Sequence, residues 1–261
     1  MDKSFDYFRI GRARISITSY PKAISTIKAA IKNKQSGYVC VSNMRTVNFA
    51  NTIDAYQEVM EKSLLNTPDG TPLMWCGRWW GLKEAERVCG PHLFNDLLND
   101  KDPVLSHFFL GDTEETLTSL KSKIANNCGA KIAGSFSPPF KPLEDYDLKG
   151  IAKMINDSGA TVVWTSLRAP KQDYLGAMLL PYLNNGVVLI GVGAAFRFYL
   201  GEYKEPDGFL AKIGLGGLYV LRKGTTFWKE FSWYVKHTLL LIKYFFIIKW
   251  RKLRGKKYYE I

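Results

Sequence analysis

A chain of 261 residues holds one large α/β domain with an appendage and is too short for two full domains. Hydrophobic residues at 46% against 23% charged exclude wholesale disorder. A net charge of +12 points to phosphates, whether of nucleic acid, anionic lipid or a phosphorylated substrate.

Most of that excess sits at the end. From Arg222 onward Lys223, Lys229, Lys236, Lys243, Lys249, Arg251, Lys252, Arg254, Lys256 and Lys257 stand against Glu230 and Glu260, which leaves the body close to neutral. The opening MDKSFDYFRIGRARIS lacks the apolar core of a secretory signal, and Cys40, Cys76, Cys89 and Cys128 show no CxxC spacing. Reduced cytosolic thiols are the expectation.

In chain order, GYVCVS (37–42) reads as a buried strand closed by Asn43, and NFANTIDAYQEVMEKS (48–63) as one helix carrying Phe49, Ile53, Tyr56, Val59 and Met60 at helical spacing. TPDG (67–70) reads as a tight turn: Pro68 presets φ, Asp69 tolerates the bridge conformation and Gly70 allows the exit. Taken alone, it favours a structural aspartate over a catalytic one. SHFFLG (106–111), AKIAGSF (130–136), ATVVWTS (160–166) and GVVLIGVG (186–193) are further strands, with helices over DTEETLTSLKSKIANN and DLKGIAKMIND and a Pro-rich surface loop at GSFSPPFKPLED. This alternation is that of βαβ units and a largely parallel sheet flanked by helices.

The tail TFWKEFSWYVKHTLLLIKYFFIIKWRKLRGKKYYE is aromatic, apolar and basic. On a helix, Lys229, Lys236 and Lys243 fall on one side, while Trp228, Phe231, Trp233, Val235, Leu239, Ile242, Phe246 and Trp250 spread over the rest. Its longest uncharged runs, 237–242 and 244–248, fall far short of a bilayer crossing. An amphipathic appendage lying on an anionic membrane surface is expected, with Trp228, Lys229, Trp233, Lys236, Lys243, Lys249, Trp250 and Arg251 at the interface. The plainer reading is a helix packed on the body or between subunits. Nucleic acid is disfavoured, because the TLLLI and FFII runs suit lipid or protein better than bases.

Four segments carry more polar or special-backbone content than a core needs: VSNMRT, TPDGT, EAERVCG and LRAPKQD. In a parallel sheet the residues just past strand C-termini face the ligand crevice, which brings Asn43 near the 167–173 loop. The opposing reading has Asn43 capping a turn, with Lys171 and Gln172 solvated. GVGAAF (191–196) lacks the third glycine of the dinucleotide fingerprint, and Gly111 with Thr113 marks an ordinary strand-to-helix junction. His92, His107 and His237 have no ligand spacing, and Asp145-Tyr146-Asp147 reads as a helix start, so neither a metal nor a cofactor is expected.

TPDGT, ERVCGPHLFNDLL, FFLG, APKQD and GVGAAF, in this order from about Phe8 to about Val220, resemble the WecG/TagA/CpsF family of bacterial glycosyltransferases. The resemblance implies a Rossmann-like α/β domain over 1–220 and a membrane-binding appendage over 221–261. It implies inverting transfer from a UDP-sugar to an undecaprenyl-diphosphate-linked saccharide in exopolysaccharide, capsule or teichoic-acid-type synthesis, without a required metal, at the cytoplasmic face of the bacterial inner membrane. Asp69 then falls on the proposed general base, Asn43 on a pocket residue and Arg87 on an arginine suited to the leaving diphosphate. Gln172, Gly191 and Gly193 fall on the donor pocket, and Ser42, Gly70, Thr71, Lys171 and Gly111 complete the expected substrate-binding set.

The chain departs from the family pattern at several points. Val41 stands where threonine is common, Arg168 where glycine is, Arg197 in place of the aspartate of FDF, and GLGGLYVL replaces GLEWLYRL. Two new arginines near the donor fit an acidic sugar such as a uronic acid, or a site that has drifted; the alternative is a non-catalytic membrane scaffold on a degenerate transferase fold. Subunit number is left open by the sequence, a homo-oligomer included.

Overall fold

The computed structural model describes residues 6–203 and 227–260, with the backbone alone for 227–234, 236 and 237. Strands β3 (Gly37–Ser42), β4 (Leu65–Pro68), β5 (His107–Gly111), β6 (Ile132–Phe136), β7 (Val162–Ser166) and β8 (Val188–Gly191) form one parallel sheet in the order β4-β3-β8-β7-β5-β6. Side chains alternate across it, as the two-residue period of a strand requires. Val39, Val41, Phe109, Trp164 and Ile190 enter one core with helices α1 (Tyr20–Lys32), α5 (Gly90–Asn99), α6 (Glu114–Asn127) and α9 (Ala195–Leu200). Tyr38, Cys40, Phe108, Val163 and Leu189 enter the opposite core with α7 (Leu148–Ser158) and α8 (Lys171–Leu179). Burial on both faces is why the strands read as continuous apolar runs.

A third core lies beside the sheet. The antiparallel hairpin β1 (Tyr7–Ile10) and β2 (Ala13–Ser16) supplies Phe8, Ile10 and Ile15. Helices α2 (Met44–Thr52), α3 (Asp54–Lys62) and α4 (Thr71–Trp80) add Val47, Tyr56, Met60, Leu73 and Trp80. The last helix, α10 (Phe227–Leu253), closes this core with Tyr244 and Ile248, so its inner face packs on the body. Lys252 Nζ donates to the Trp79 carbonyl at 3.1 Å, and Arg9 N donates to the Tyr258 carbonyl at 2.8 Å. The outer face of α10 leaves Leu239, Ile242, Phe246, Trp250 and Leu253 exposed at spacings of three and four.

Two local expectations are corrected. The single helix over 48–63 is two helices, because Ile53 leaves helical geometry at φ −129° and ψ 110°. The preceding side chains turn to other backbone groups: Asn51 Nδ2 donates to the Ile10 and Val47 carbonyls and its Oδ1 accepts from Arg12 N, while Thr52 Oγ1 donates to Asn48 O. The tight turn at 67–70 is instead a strand-to-helix junction, with Thr67 and Pro68 paired to Val41 and Ser42. Gly70 has an ordinary φ of −89° and starts α4. Pro68 is tolerated because β4 is an edge strand.

The proposed boundary at 220/221 and the GLGGLYVL departure lie outside the described residues, as do the side chains of Trp228, Lys229, Trp233, Lys236 and His237.

Candidate active site

A cavity of about 550 Å³ opens outside the carboxyl ends of β3, β4, β7 and β8, where parallel sheets present ligand crevices. Its walls bring together Asn43, Asp69, Gly70, Thr71, Arg87, Gln172, Gly191 and Gly193, all expected from the sequence. These residues come from segments up to about 150 positions apart in the chain, and the shared strand edge is what unites them.

Asp69 is held by its main chain from both sides. Its N–H donates to the Ser42 carbonyl at 2.8 Å, and its own carbonyl accepts from Arg87 Nε at 2.6 Å. Val88 N also donates to the Pro68 carbonyl at 2.9 Å, so the 86–89 segment is laced to the end of β4. This lacing sets the partly exposed Asp69 side chain against the cavity with Arg87 next to it. The buried Cys89 thiol is pushed up first by burial, with the nearby Asp69 charge adding to the effect.

Asn43 serves as a cap and lines the cavity at once. Its Oδ1 accepts from Arg45 N at 3.0 Å and Thr46 N at 3.3 Å, while Thr46 Oγ1 accepts from Asn43 N in a capping box. Helices α4 and α5 begin at the cavity with no side-chain cap, at Gly70 and Cys89. Uncapped helix starts present N–H groups and positive dipole ends. Among the described residues of the wall, Arg45, Arg87 and Arg168 stand against the single carboxylate of Asp69, a balance that favours an anion.

Gln172 shapes the wall from below. It is buried, and its Oε1 accepts from Gly193 N at 3.0 Å, while Ser166 Oγ donates to the Gly193 carbonyl at 2.6 Å. Gly193 needs its left-handed φ of +57° to turn the chain here. A Cβ on Gly191 would meet Gln172 Nε2 at 2.8 Å. Gly191→Ala is therefore expected to displace Gln172 and release Gly193, costing about 1–3 kcal/mol of stability. A lowered melting temperature checks this; an unchanged one contradicts it.

Three expected residues stand elsewhere. Ser42 is fully buried with Oγ donating to the Cys40 carbonyl at 3.4 Å, on the opposite face from Val41, which does line the cavity. Gly111 ends β5 away from the lining, at φ +111° and against the Ser166 carbonyl. Lys171 lines a neighbouring cavity of about 770 Å³, where its Nζ donates to the Lys141 carbonyl at 2.7 Å and lies 4.7 Å from the Tyr146 ring centroid.

Sequence reasoning missed Arg45, Gly90 and Phe198 as lining residues. Arg45 and Gly90 lie inside VSNMRT and EAERVCG, segments already singled out for their polar content, and Phe198 follows the Arg197 departure. Arg197 itself is turned to the neighbouring cavity, where Nε and Nη2 bond both oxygens of Asp112 at 3.1 and 2.7 Å and Nη1 bonds Glu202 at 3.1 Å.

Other polar residues have structural roles. His107 is buried, accepts from Trp164 Nε1 at 3.1 Å and is lowered to about 4 by burial. Asp147 caps α7 through Gly150 N at 2.9 Å. Among the described residues, no three His, Cys, Asp or Glu side chains stand together as a metal site.

A family model described as glycosyl transferase WecG/TagA/CpsF family matches residues 8–256. The chain belongs to the WecG/TagA/CpsF family. It is a glycosyltransferase, and the cavity at the carboxyl edge of its sheet is the candidate active site of a WecG/TagA/CpsF enzyme. Among its relatives is the N-acetylglucosaminyldiphosphoundecaprenol N-acetyl-beta-D-mannosaminyltransferase of Bacillus subtilis (strain 168), 25% identical over 72% of each chain. Proteins of the same name from Bacillus spizizenii and Staphylococcus aureus (strain NCTC 8325) are each 22% identical, over 81% and 77% of this chain and 77% and 79% of theirs.

Proposed function

We propose that this glycosyltransferase moves a sugar from a UDP-sugar to the sugar of an undecaprenyl-diphosphate-linked acceptor, with inversion, at the cytoplasmic face of the bacterial inner membrane. The observation that carries this reading is the placement of Asp69 and Arg87 on one wall, joined through the Asp69 carbonyl, beside the uncapped starts of α4 and α5. The relatives' names supply the acceptor class, N-acetylglucosamine on diphosphoundecaprenol.

In this mechanism the Asp69 carboxylate takes the proton of the acceptor hydroxyl as that oxygen forms its bond to the anomeric carbon. The bond from that carbon to the diphosphate oxygen breaks on the opposite face, and UDP leaves with the electron pair. One carboxylate suffices, because inversion needs no covalent intermediate. Charge growing on the diphosphate is met by Arg87, Arg45 and the helix N–H groups, which a preorganised site holds in place before the step. Gln172 and the 191–194 turn form the floor against which the donor sits.

Saturating UDP is expected to raise the melting temperature by several degrees, since a ligand at about 100 times its Kd stabilises by roughly 2.7 kcal/mol. No shift at millimolar UDP would count against a nucleotide donor.

The acceptor's lipid brings the membrane into the reading. Among the described residues no helix is long and apolar enough to cross a bilayer. The exposed stripe Leu239, Ile242, Phe246, Trp250 and Leu253, with exposed Lys243 and Lys249 beside it, suits a helix lying in the headgroup boundary. Arg251 takes no part in that stripe: its guanidinium lies 6.0 Å from the Trp80 ring centroid and donates to the Glu260 carbonyl.

Replacing Leu239, Phe246 and Trp250 together with serine is expected to weaken vesicle binding and leave the melting temperature unchanged. Ile248→Ala, on the inner face, is expected to cost about 2–5 kcal/mol of stability. Vesicle flotation and thermal melts on both variants check the pair, and unaltered flotation of the triple variant contradicts the membrane role.

A further inference from the structure

Arg168 stands on the partition between the two cavities, together with Gly193 and Ala194. Its backbone is left-handed at φ +59°, a conformation that glycine adopts freely and a side chain resists. The Arg168 carbonyl accepts from Gln172 N at 3.1 Å, so the residue is tied to the start of α8 and to the wall that Gln172 shapes.

The other cations among the described residues of the neighbouring cavity are committed to the protein. Arg197 is paired with Asp112 and Glu202, and Lys171 is bound to the Lys141 carbonyl and set over Tyr146. The exposed Arg168 guanidinium makes no hydrogen bond or ion pair with the described residues, and it faces both cavities. The two departures from the family pattern thus differ in kind: Arg197 is neutralised within the fold, and Arg168 is presented.

We propose that Arg168 is a specificity-determining residue that pairs with a carboxylate on the transferred sugar, so that the preferred donor is a nucleotide of a uronic-acid-type sugar. This rests on the reading of the cavity as a UDP-sugar site. The diphosphate already has Arg87, Arg45 and the starts of α4 and α5 on the Asp69 side. A further guanidinium where the cavities meet suits a second anionic group, and guanidinium and carboxylate match as a bidentate pair.

The test uses the full chain with acceptor and matched donors that differ only in a hydroxymethyl or a carboxylate at C6, such as UDP-glucose with UDP-glucuronate and UDP-N-acetylmannosamine with its uronic acid. The quantity read is the ratio of kcat/KM, acidic over neutral. Wild type is expected to favour the acidic donor of one pair, and Arg168→Gly, which suits the backbone, to lower that ratio roughly tenfold or more, with Arg168→Lys between them.

An unchanged ratio overturns the proposal. Equal loss on both donors would mean that Arg168 grips the diphosphate; no loss on either would mean that it is only solvated. A wild-type preference for neutral donors in both pairs overturns it as well. If UDP binds but no sugar moves, the transfer reading fails by itself, and the ratio of dissociation constants for the same donors decides the role of Arg168. If UDP does not bind at all, both fall together.

Discussion

Asp69→Asn is expected to lower turnover by about 10²–10⁴-fold, the range a positioned general base supplies, while leaving the fold intact. The structural part of this expectation follows from the main chain. Two main-chain bonds that hold residue 69 run from its N–H to Ser42 and from Arg87 to its carbonyl, and an asparagine keeps both. Its side chain keeps its size and stays at the partly exposed cavity wall. In the proposed mechanism, what is lost is the capacity to accept a proton from the attacking hydroxyl. The check is a rate measured at saturating donor and acceptor beside a melting curve and a UDP titration. A rate near that of wild type removes Asp69 from the chemistry, whereas a collapsed melting curve would give it the structural role that its turn-like sequence first suggested.

Asp173→Asn is expected to flatten the pH dependence of stability. Asp173 is fully buried; Tyr56 donates to its Oδ2 at 2.6 Å, and among the described residues its Oδ1 has no hydrogen-bond partner. Cys40 from β3, Tyr56 from α3 and Tyr174 on its own helix face it, with Tyr38 near enough to feel its charge. Burial pushes its carboxyl up to about 7, although the Tyr56 hydroxyl and the nearby Cys40 thiol pull the other way.

A carboxyl whose folded pKa is raised holds its proton in the native state while the unfolded chain has released it. Stability from this group is therefore fullest near pH 4, falls as pH rises toward 7, and stays low above that, by a total on the order of 4 kcal/mol. The amide cannot ionise, so the variant is expected to be more stable than wild type at pH 8 and close to it at pH 4. Urea unfolding at the two pH values checks the sign, and equal differences at both would show that Asp173 does not titrate in this range. Asp173 adjoins Gln172, so the same experiment also tests how firmly the base of α8 supports the cavity floor.

Much of the frame was legible because its signals are local. Five runs of apolar residues bounded by polar or glycine positions are the strands β3, β5, β6, β7 and β8. The edge strand β4 was hidden, since Pro68, Asp69 and Gly70 speak for a turn, and only its pairing with β3 makes Leu65–Pro68 extended. The break at Ile53 was hidden as well, because the helical spacing of Phe49, Tyr56 and Met60 survives it and the cause, Asn51 on the hairpin, is a tertiary contact.

At the site, the segments around Asn43, Asp69, Arg87 and Gln172 were found by composition and order, and the sheet edge explains why they meet. Arg168 and Arg197 looked alike in sequence and proved different, for the partner of Arg197 is Asp112, 85 positions away. The tail combined two sequence readings that had seemed exclusive. Tyr244 and Ile248 pack on the body, and Leu239, Phe246 and Trp250 on the other side do not.

The most direct test of glycosyl transfer to a lipid-linked acceptor is UDP release from a panel of neutral, N-acetylated and uronic UDP-sugars, measured with and without N-acetylglucosaminyl-diphosphoundecaprenol. Release from one donor that depends on the acceptor, with a matching gain in acceptor mass, is the predicted result. No acceptor-dependent release from any donor, by protein that is folded and bound to vesicles, would contradict it.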